Sequence, residues 1–577
     1  MESSLSFREL NKKAKTYKTP ETTIRIAVLG NHTTTFFSKS LANSLKIANF
    51  DPEIFESDYD QIDITIIDNE SKLYKFNPEI IILFESTLKI KDNFYSLSEN
   101  SSRSNFNLDV QNSVQNRISI LRANGCQAKI INFSYELIDD NLYGNLFSKA
   151  SHSFYNQLWK INNNLIDISQ NTDDFFIFDV NKYLKDSNDY RDWPSYINSD
   201  LHYSIDTFAK FSQGVATFIK AIKGSFNKCL ILDLDNTTWG GIIGDDGIEN
   251  IQIGSLGIGK AFTKLQKWAK ELKNRGIILA ICSKNTENIA KDPFINHEEM
   301  VLRLDDISVF VANWKNKADN IRYIKDVLNI GLDSMVFIDD NPAERDIVRQ
   351  VLPEVKVPEL PEDPALYLPF LSSLNLFETA SYSENDKDRT SQYQQEAERK
   401  KLVNTVTNMD DYLKSLEMVG EITDFQIDDI PRLAQLTQRS NQFNLRTKRY
   451  GENDISNMVE SKNHITFSVK LKDKFGDYGL ISLIILERKN ENTFFIDTWL
   501  MSCRVLKRQV EYYAMNKLVD ELKKINCEFI LGEYLETPKN NLVADLLDKL
   551  SFDKDIKNNN QYKLNLENFK TFKNYIS

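Results

Sequence analysis

The run Cys229-Leu230-Ile231-Leu232-Asp233-Leu234-Asp235-Asn236-Thr237-Thr238-Trp239-Gly240-Gly241 constrains this chain more than any other stretch. Apolar residues ahead of an acidic turn read as a buried parallel strand, and open α/β sheets place their sites at the carboxyl ends of such strands. Asp233 and Asp235, two residues apart, suit a division of labour in which Asp233 attacks phosphorus and Asp235 handles the leaving-group proton. A cation must offset their repulsion, and hard, oxygen-seeking Mg2+ is the natural choice. The plain alternative is an acidic turn that caps the next helix.

Downstream residues favour the chemical reading. Phe262, Leu265, Trp268, Ala269 and Leu272 recur at helical spacing, which predicts a helix over Gly257 to Arg275 with Gly276 as its C-cap signal. The strand Ile277 to Cys282 then delivers Ser283 and Lys284 to the same sheet edge. A further strand, Met335 to Ile338, ends in Asp339, Asp340, Asn341 and Pro342. Lys317 opens the helical segment between them, with Lys315 as a nearby competitor for its role. Three strand ends thus converge on carboxylates, a hydroxyl and an ammonium.

The strings LDLDNTTWGGIIGDDG, LAICSKN, NWKNKADNI, GLDSMVFIDDNPAERDIVRQ and VPELPEDP resemble the haloacid dehalogenase (HAD) superfamily. More closely, they resemble the FkbH-like proteins, which load a three-carbon glyceryl unit onto acyl carrier proteins. The resemblance implies that Asp233 forms an aspartyl-phosphate and that Asp235 is general acid and then base. It implies that Asp340 completes a Mg2+ site with Asp233 and the backbone carbonyl of Asp235, with Asp339 beside it. Thr237 and Ser283, with Asn236 in the same turn, would bind the phosphoryl oxygens, and Lys317 would stabilise the phosphorylated aspartate. Independently of the resemblance, a phosphoryl group in transit spreads charge over its equatorial oxygens, so positioning and cationic stabilisation supply most of the catalysis.

At 577 residues the chain is long enough for about three or four domains. It contains no apolar stretch long enough to span a bilayer, and its polar start lacks a secretory core, which predicts a cytoplasmic protein with no membrane partner. Five scattered cysteines without C-x-x-C spacing argue against a disulfide framework or a zinc site. A net charge of −12 argues against nucleic-acid binding.

The expected fold class is multidomain α/β. Residues 1–21 form a polar lead-in, 22–222 an α/β domain, 223–375 the HAD-like Rossmannoid domain, 376–402 a charged linker helix and 403–577 an α+β domain. The first domain weakly resembles SGNH hydrolases. Its first turn, Gly30-Asn31-His32-Thr33, lacks a G-D-S nucleophile, and Ser199 stands where D-x-x-H spacing would put an aspartate before His202. A noncatalytic, carrier-docking or structural role is therefore expected. His32 and His202 read as surface or capping residues, Trp159 and Trp193 as core or interdomain packing, and the Asn-rich stretches 162–164 and 558–560 as loops.

The last domain resembles GNAT acyltransferases in its strands at 465–471, 478–486 and 493–500, its helix at 509–524 and its strand at 528–531. Asn441-Gln442-Phe443-Asn444-Leu445 and Met501-Ser502-Cys503-Arg504-Val505-Leu506 also carry that resemblance. GNAT domains hold pyrophosphate on an R/Q-x-x-G-x-G/A loop, where glycines let backbone amides approach phosphate. Here the register reads Arg504-Val505-Leu506-Lys507-Arg508-Gln509, so both glycine positions carry side chains. Arg504, Lys507 and Arg508 are read instead as presenting charge to the phosphate of a carrier's phosphopantetheine arm. Loading also needs an acyl acceptor: Cys503 is the first candidate and Cys282 the second, unless the carrier thiol attacks directly.

Three readings follow. One is a glyceryltransferase and phosphatase that takes 1,3-bisphosphoglycerate, a small phosphorylated three-carbon substrate, and an acyl carrier protein. Another is a Mg2+-dependent phosphatase on a different small phosphoester or acyl phosphate, in surface-glycan or metabolite modification. The last is a carrier-docking scaffold.

Overall fold

The computed structural model describes residues 5–17, 22–185, 189–381, 395, 399, 408–440, 442–537, 539–554 and 560–577. The charged linker helix expected over 376–402 lies largely outside these residues, as do Asn558 and Asn559. Two compact units are present, Ser3–Lys220 and Ala221–Ser577.

The first unit is built on five parallel strands: β1 (Thr23–Gly30), β2 (Asp51–Glu56), β3 (Ile80–Phe84), β4 (Lys129–Phe133) and β5 (Phe175–Phe178), in the order β2-β1-β3-β4-β5. Helices separate the strands in sequence, as parallel connections require. β1 and β3 are in register through Gly30 opposite Phe84, so the turns after both strands leave the sheet side by side.

Three expectations for this unit are corrected, and one strand is added. His32 and His202 are both buried: His32, in the turn after β1, packs with Phe84 and Phe208, and His202, just ahead of the helix Ile205–Ile222, packs with His32 and Tyr196. Trp159 and Trp193 are half exposed rather than core, at 51% and 55%. Asn162 to Asn164 lie within the helix Phe154–Gln170, where Asn162 both accepts from the Tyr135 N–H and donates to its carbonyl. The edge strand β2 carries no clear sequence signal, because Asp51, Pro52, Glu53 and Glu56 interrupt its apolar pattern.

The second unit opens with four parallel strands, β6 (Cys229–Leu232), β7 (Ile278–Ser283), β8 (Val309–Ala312) and β9 (Met335–Ile338), in the order β8-β7-β6-β9. β6 is fully buried. Leu230 and Leu232 pack on one face with Trp239 and Phe262, while Cys229 and Ile231 pack on the other with Ile321 and Ile324. Each such side chain contributes about 1.5–3 kcal/mol of transfer energy. Leu232 pairs with both Ile281 and Ile338, which brings the carboxyl ends of β6, β7 and β9 to one edge.

The remainder of the unit holds an eight-membered sheet: β10 (Val419–Thr423), β11 (Phe443–Asn444), β12 (His464–Asp473), β13 (Gly476–Asn490), β14 (Thr493–Met501), β15 (Phe529–Glu533), β16 (Asp553–Lys554) and β17 (Gln561–Asn565). The main path runs β10-β12-β13-β14-β15-β17-β16. β14 and β15, joined by the helix Val510–Lys524, are parallel over Thr493 to Phe495 only. Beyond that point β11 pairs with the end of β14. Among the described residues no helix is long and apolar enough to cross a membrane.

Candidate active site

Asp233 follows β6 and is 6% exposed. Its Oδ2 lies 3.0 Å from the Lys317 Nζ. Its Oδ1 is buried with no hydrogen-bond partner, which is costly for an ionised carboxylate unless a bound group completes it. Lys317 is the first residue of the helix Lys317–Leu328, capped by the Asn316 side chain on the Ala318 N–H. Its ammonium also bonds Asp339 Oδ2. Lys317 is buried and Lys315 exposed, which settles which lysine belongs to the site. Burial opposes the charge on Lys317, but the carboxylates of Asp233 and Asp339 prevail and hold its pKa above the ordinary lysine value.

Asp339 is fully buried, with Oδ1 accepting from the Asn341 N–H at 2.8 Å. Burial, then the charge of Asp233, push it up to about 7. Asp340 is raised by the same two causes. Carboxylate oxygens of Asp233, Asp339 and Asp340 lie within 4.8 Å of one another, a group able to hold a metal ion. Three carboxylates face one ammonium here, so a divalent cation fits the charge as well as the bare oxygen of Asp233.

The carboxylate of Asp235 is outside that group. Oδ1 accepts from the Trp239 indole and the Ile243 N–H, each at 3.0 Å, and Oδ2 from Asn285 Nδ2 at 3.1 Å. Asp235 can therefore serve a metal only through its carbonyl, while its side chain is held as a separate acid. Burial raises its pKa, and the hydrogen bonds from Ile243 and Trp239 oppose that rise. A carboxyl so poised suits a proton donor to a leaving group.

The turn between is closed by Asn236. Its backbone is left-handed (φ 53°), and its Oδ1 accepts from the N–H of Gly241, itself at φ 93°. Its side-chain oxygen is spent on the turn, so its side-chain nitrogen is the atom that could donate to a phosphoryl oxygen. The Thr237 hydroxyl accepts from the Asp340 N–H at 3.0 Å and lies 3.4 Å from Asp340 Oδ1, locking the turns after β6 and β9 together. Ser283 is buried as the last residue of β7. Sequence reasoning passed over Trp239, Asn285 and Arg345. Arg345 is buried and donates to the carbonyls of Asp339 and Asp340 at 2.8 and 2.6 Å. All three lie within motif strings, but only the fold shows what they touch.

Cys282 is not a candidate acyl carrier. It packs in the apolar face with Ile231 and Ile321, and burial pushes its thiol far above the ordinary range, so no thiolate is available. Cys503 is partly exposed in the short helical turn Cys503–Val505 after β14, with its carbonyl accepting from Asn329 Nδ2 at 2.7 Å.

Arg508 is corrected too. It is 3% exposed and pairs with Asp473, which Arg399 also holds with two bonds of 2.7 Å. Arg504 is partly buried, donating to Ser502 Oγ and the Tyr478 carbonyl. Lys507 alone of the three is exposed. Lys507 and Gln509, at the two positions where the loop pattern calls for glycine, are both left-handed, with φ of 65° and 64°.

Comparison with known proteins agrees with this geometry. The family model "FkbH, N-terminal domain" matches residues 25–220. The crystal structure of the N-terminal part of the protein BF1531 from Bacteroides fragilis, containing the phosphatase domain complexed with Mg, is 44% identical, with a TM-score of 0.62. That match covers 65% of this chain and 100% of the other. The ribosomal-protein-S18-alanine N-acetyltransferase from Escherichia coli is 13% identical over 26% of this chain and 94% of its own, with a TM-score of 0.20, and adds nothing to the sheet topology. Among curated proteins, none matches. With nearly half of its residues shared along the whole of the Bacteroides structure, and the FkbH domain matched ahead of the phosphatase domain, the chain belongs to the FkbH-like family.

Proposed function

We propose that the Asp233 site hydrolyses phosphoryl groups with Mg2+ and that this step serves the loading of a glyceryl unit onto an acyl carrier protein. The observation that carries the phosphoryl reading is the bare, buried Oδ1 of Asp233 beside Lys317 and two further carboxylates. Asp233 attacks phosphorus, the bond to the leaving oxygen breaks, and Asp235 gives that oxygen its proton. Water then attacks the aspartyl-phosphate, Asp235 takes a proton from it, and Asp233 is released. Lys317 holds Asp233 in place and offsets its charge. Mg2+, when bound, would be held by Asp233, Asp339, Asp340 and the carbonyl of Asp235 and would supply further neutralisation of the phosphoryl oxygens.

For the acyl half, a thiolate attacks the acyl carbon of 1,3-bisphosphoglycerate and phosphate leaves. The remaining phosphoester is then a substrate for Asp233. The partial exposure of Cys503 favours it over Cys282, and the exposed Lys507 favours a carrier phosphate nearby. The test is to incubate the chain with Mg2+, 1,3-bisphosphoglycerate made in situ and a pantetheinylated carrier, then weigh both proteins intact. A glyceryl adduct on the carrier that becomes phosphoglyceryl with Asp233→Asn supports the whole reading. Phosphate release without any adduct leaves the phosphatase alone.

A further inference from the structure

The first unit holds a second cluster of reactive groups that the phosphoryl chemistry does not use. Ser86 follows β3 and caps the helix Thr87–Ser96, accepting from the Leu88 N–H at 3.2 Å. The preceding residue, Glu85, is pinned the other way by Arg117 and the Tyr135 hydroxyl, each at 2.8 Å, so the turn has one arrangement. The Ser86 Oγ hydrogen-bonds His202 Nδ1, and His202 Nε2 lies 2.8 Å from Asp200 Oδ1. Asp200 stands two residues before the histidine, so the spacing searched for in the sequence missed it.

We propose that Ser86, His202 and Asp200 form an acyl-transfer site that takes the acyl group of a carboxylic ester or thioester onto the Ser86 hydroxyl. A carboxylate only accepts, so Asp200 fixes the proton of neutral His202 on Nε2 and leaves a lone pair on Nδ1 facing Ser86. Asp200 is held ionised against its burial by hydrogen bonds from Tyr59, at 2.6 Å, and His202. Burial keeps His202 neutral against the pull of Asp200, which leaves it a base.

Ser86 Oγ bonds to the acyl carbon as its proton passes to His202 Nδ1. The ester or thioester bond breaks, and the leaving oxygen or sulfur takes that proton. Water then attacks the acyl carbon, giving one proton to His202; the bond to Ser86 Oγ breaks, that proton returns to Oγ, and the acyl group leaves as a carboxylic acid. Ser86 and His202 are the catalytic residues, and Asp200 is a positioning residue. Ser86 and His202 are themselves fully buried, and one polar atom beside them is left incomplete. His32 is 2% exposed and its ring lies 5.0 Å from that of His202, yet its Nε2 has no partner. Lys89, 3.6 Å from Asp200 and 29% exposed in its side chain, pairs with that carboxylate on the side of His202 away from Ser86.

The experiment is to treat the full chain with a fluorophosphonate and locate the adduct by intact mass and peptide mapping. One adduct per chain, on the peptide holding Ser86 and equally present in Asp233→Asn, is expected. Ser86→Ala with an unchanged circular dichroism spectrum should carry none, and His202→Gln should label about 100-fold more slowly. The charges facing His202 are Asp200, Arg191 and Lys89, with His32 beside it. Asp200→Asn removes the one that favours the imidazolium, so the midpoint of labelling rate against pH should move down. A wild-type chain that takes no label, or takes it elsewhere, overturns the proposal whether or not Ser86→Ala folds.

Discussion

Two strand-to-helix junctions in the second unit, after β6 and after β14, both concentrate charged residues and use them in opposite ways. After β6 the charges gather around a bare carboxylate oxygen, with Lys317 drawn in from a different helix. After β14 the charge mostly turns away from solvent: Arg508 is buried on Asp473 together with Arg399, and Arg504 spends donors on local oxygens. Charge in a loop is thus a poor guide to a ligand unless one polar atom is left incomplete. An incomplete atom alone does not separate the two, since Gln509 Oε1 after β14 is also buried without a partner. They differ in that three carboxylates and Lys317 gather at the β6 junction, while the arginines after β14 are spent on the fold and Lys507 is its exposed charge.

Substitution of Asp233, the proposed nucleophile, should separate the two most sharply. Asp233→Asn is expected to lower phosphate release by at least about 10^4-fold, measured with a small phosphoester in Mg2+. Retention of a tenth of the activity would remove Asp233 from the reaction. The same assay with a chelator should fall to background and recover when Mg2+ is restored.

At the other junction the large effect should be on stability. Asp473→Ala leaves two buried arginines without their shared carboxylate and is expected to cost about 3–5 kcal/mol in urea unfolding. A loss under about 1 kcal/mol would mean that the arginines find other partners cheaply, and the contrast drawn here would weaken.

The buried histidines of the first unit give a control that belongs to neither junction. Burial, with the charge of His202 second, holds His32 down to about 3, while in the unfolded chain it titrates near 6.5. Between those values the unfolded chain binds a proton that the folded one does not. The stability from keeping His32 neutral is whole above pH 6.5 and is lost as pH falls, by roughly 1 kcal/mol per unit. His202 acts in the same direction, and Asp200, Arg191 and Lys89 are the charges that face the pair. His32→Gln should flatten the slope of unfolding free energy between pH 6.5 and 4.5, and an unchanged slope would exclude His32 as its source.

The smallest expected effect tests the β14 loop itself. Lys507→Gly removes a side chain from a left-handed backbone and should stabilise the unit by about 1 kcal/mol while lowering carrier loading. If loading is unaffected, Lys507 is only an exposed residue in a strained loop.

Much of this molecule was legible in its residues. The runs before Asp233 and Asp339 and the strand Ile277 to Cys282 were readable because fully buried parallel strands are almost continuously apolar. The site residues were readable because phosphoryl chemistry needs carboxylates, a hydroxyl and a cation at strand ends. The edge strand β2, the two-residue β11 and the helical setting of Asn162 to Asn164 were not, since short or polar elements are stabilised by neighbours distant in sequence.

By itself the sequence determined the buried strands of the parallel sheets, the residue types gathered after β6, and the family, because these depend on local pattern and residue type. Only the tertiary structure decided between Lys317 and Lys315, withdrew Cys282 and Arg508, and joined Ser86 to His202 across more than a hundred residues. Burial and hydrogen-bond completion decide whether a side chain can react, and both are properties of what surrounds a residue in space.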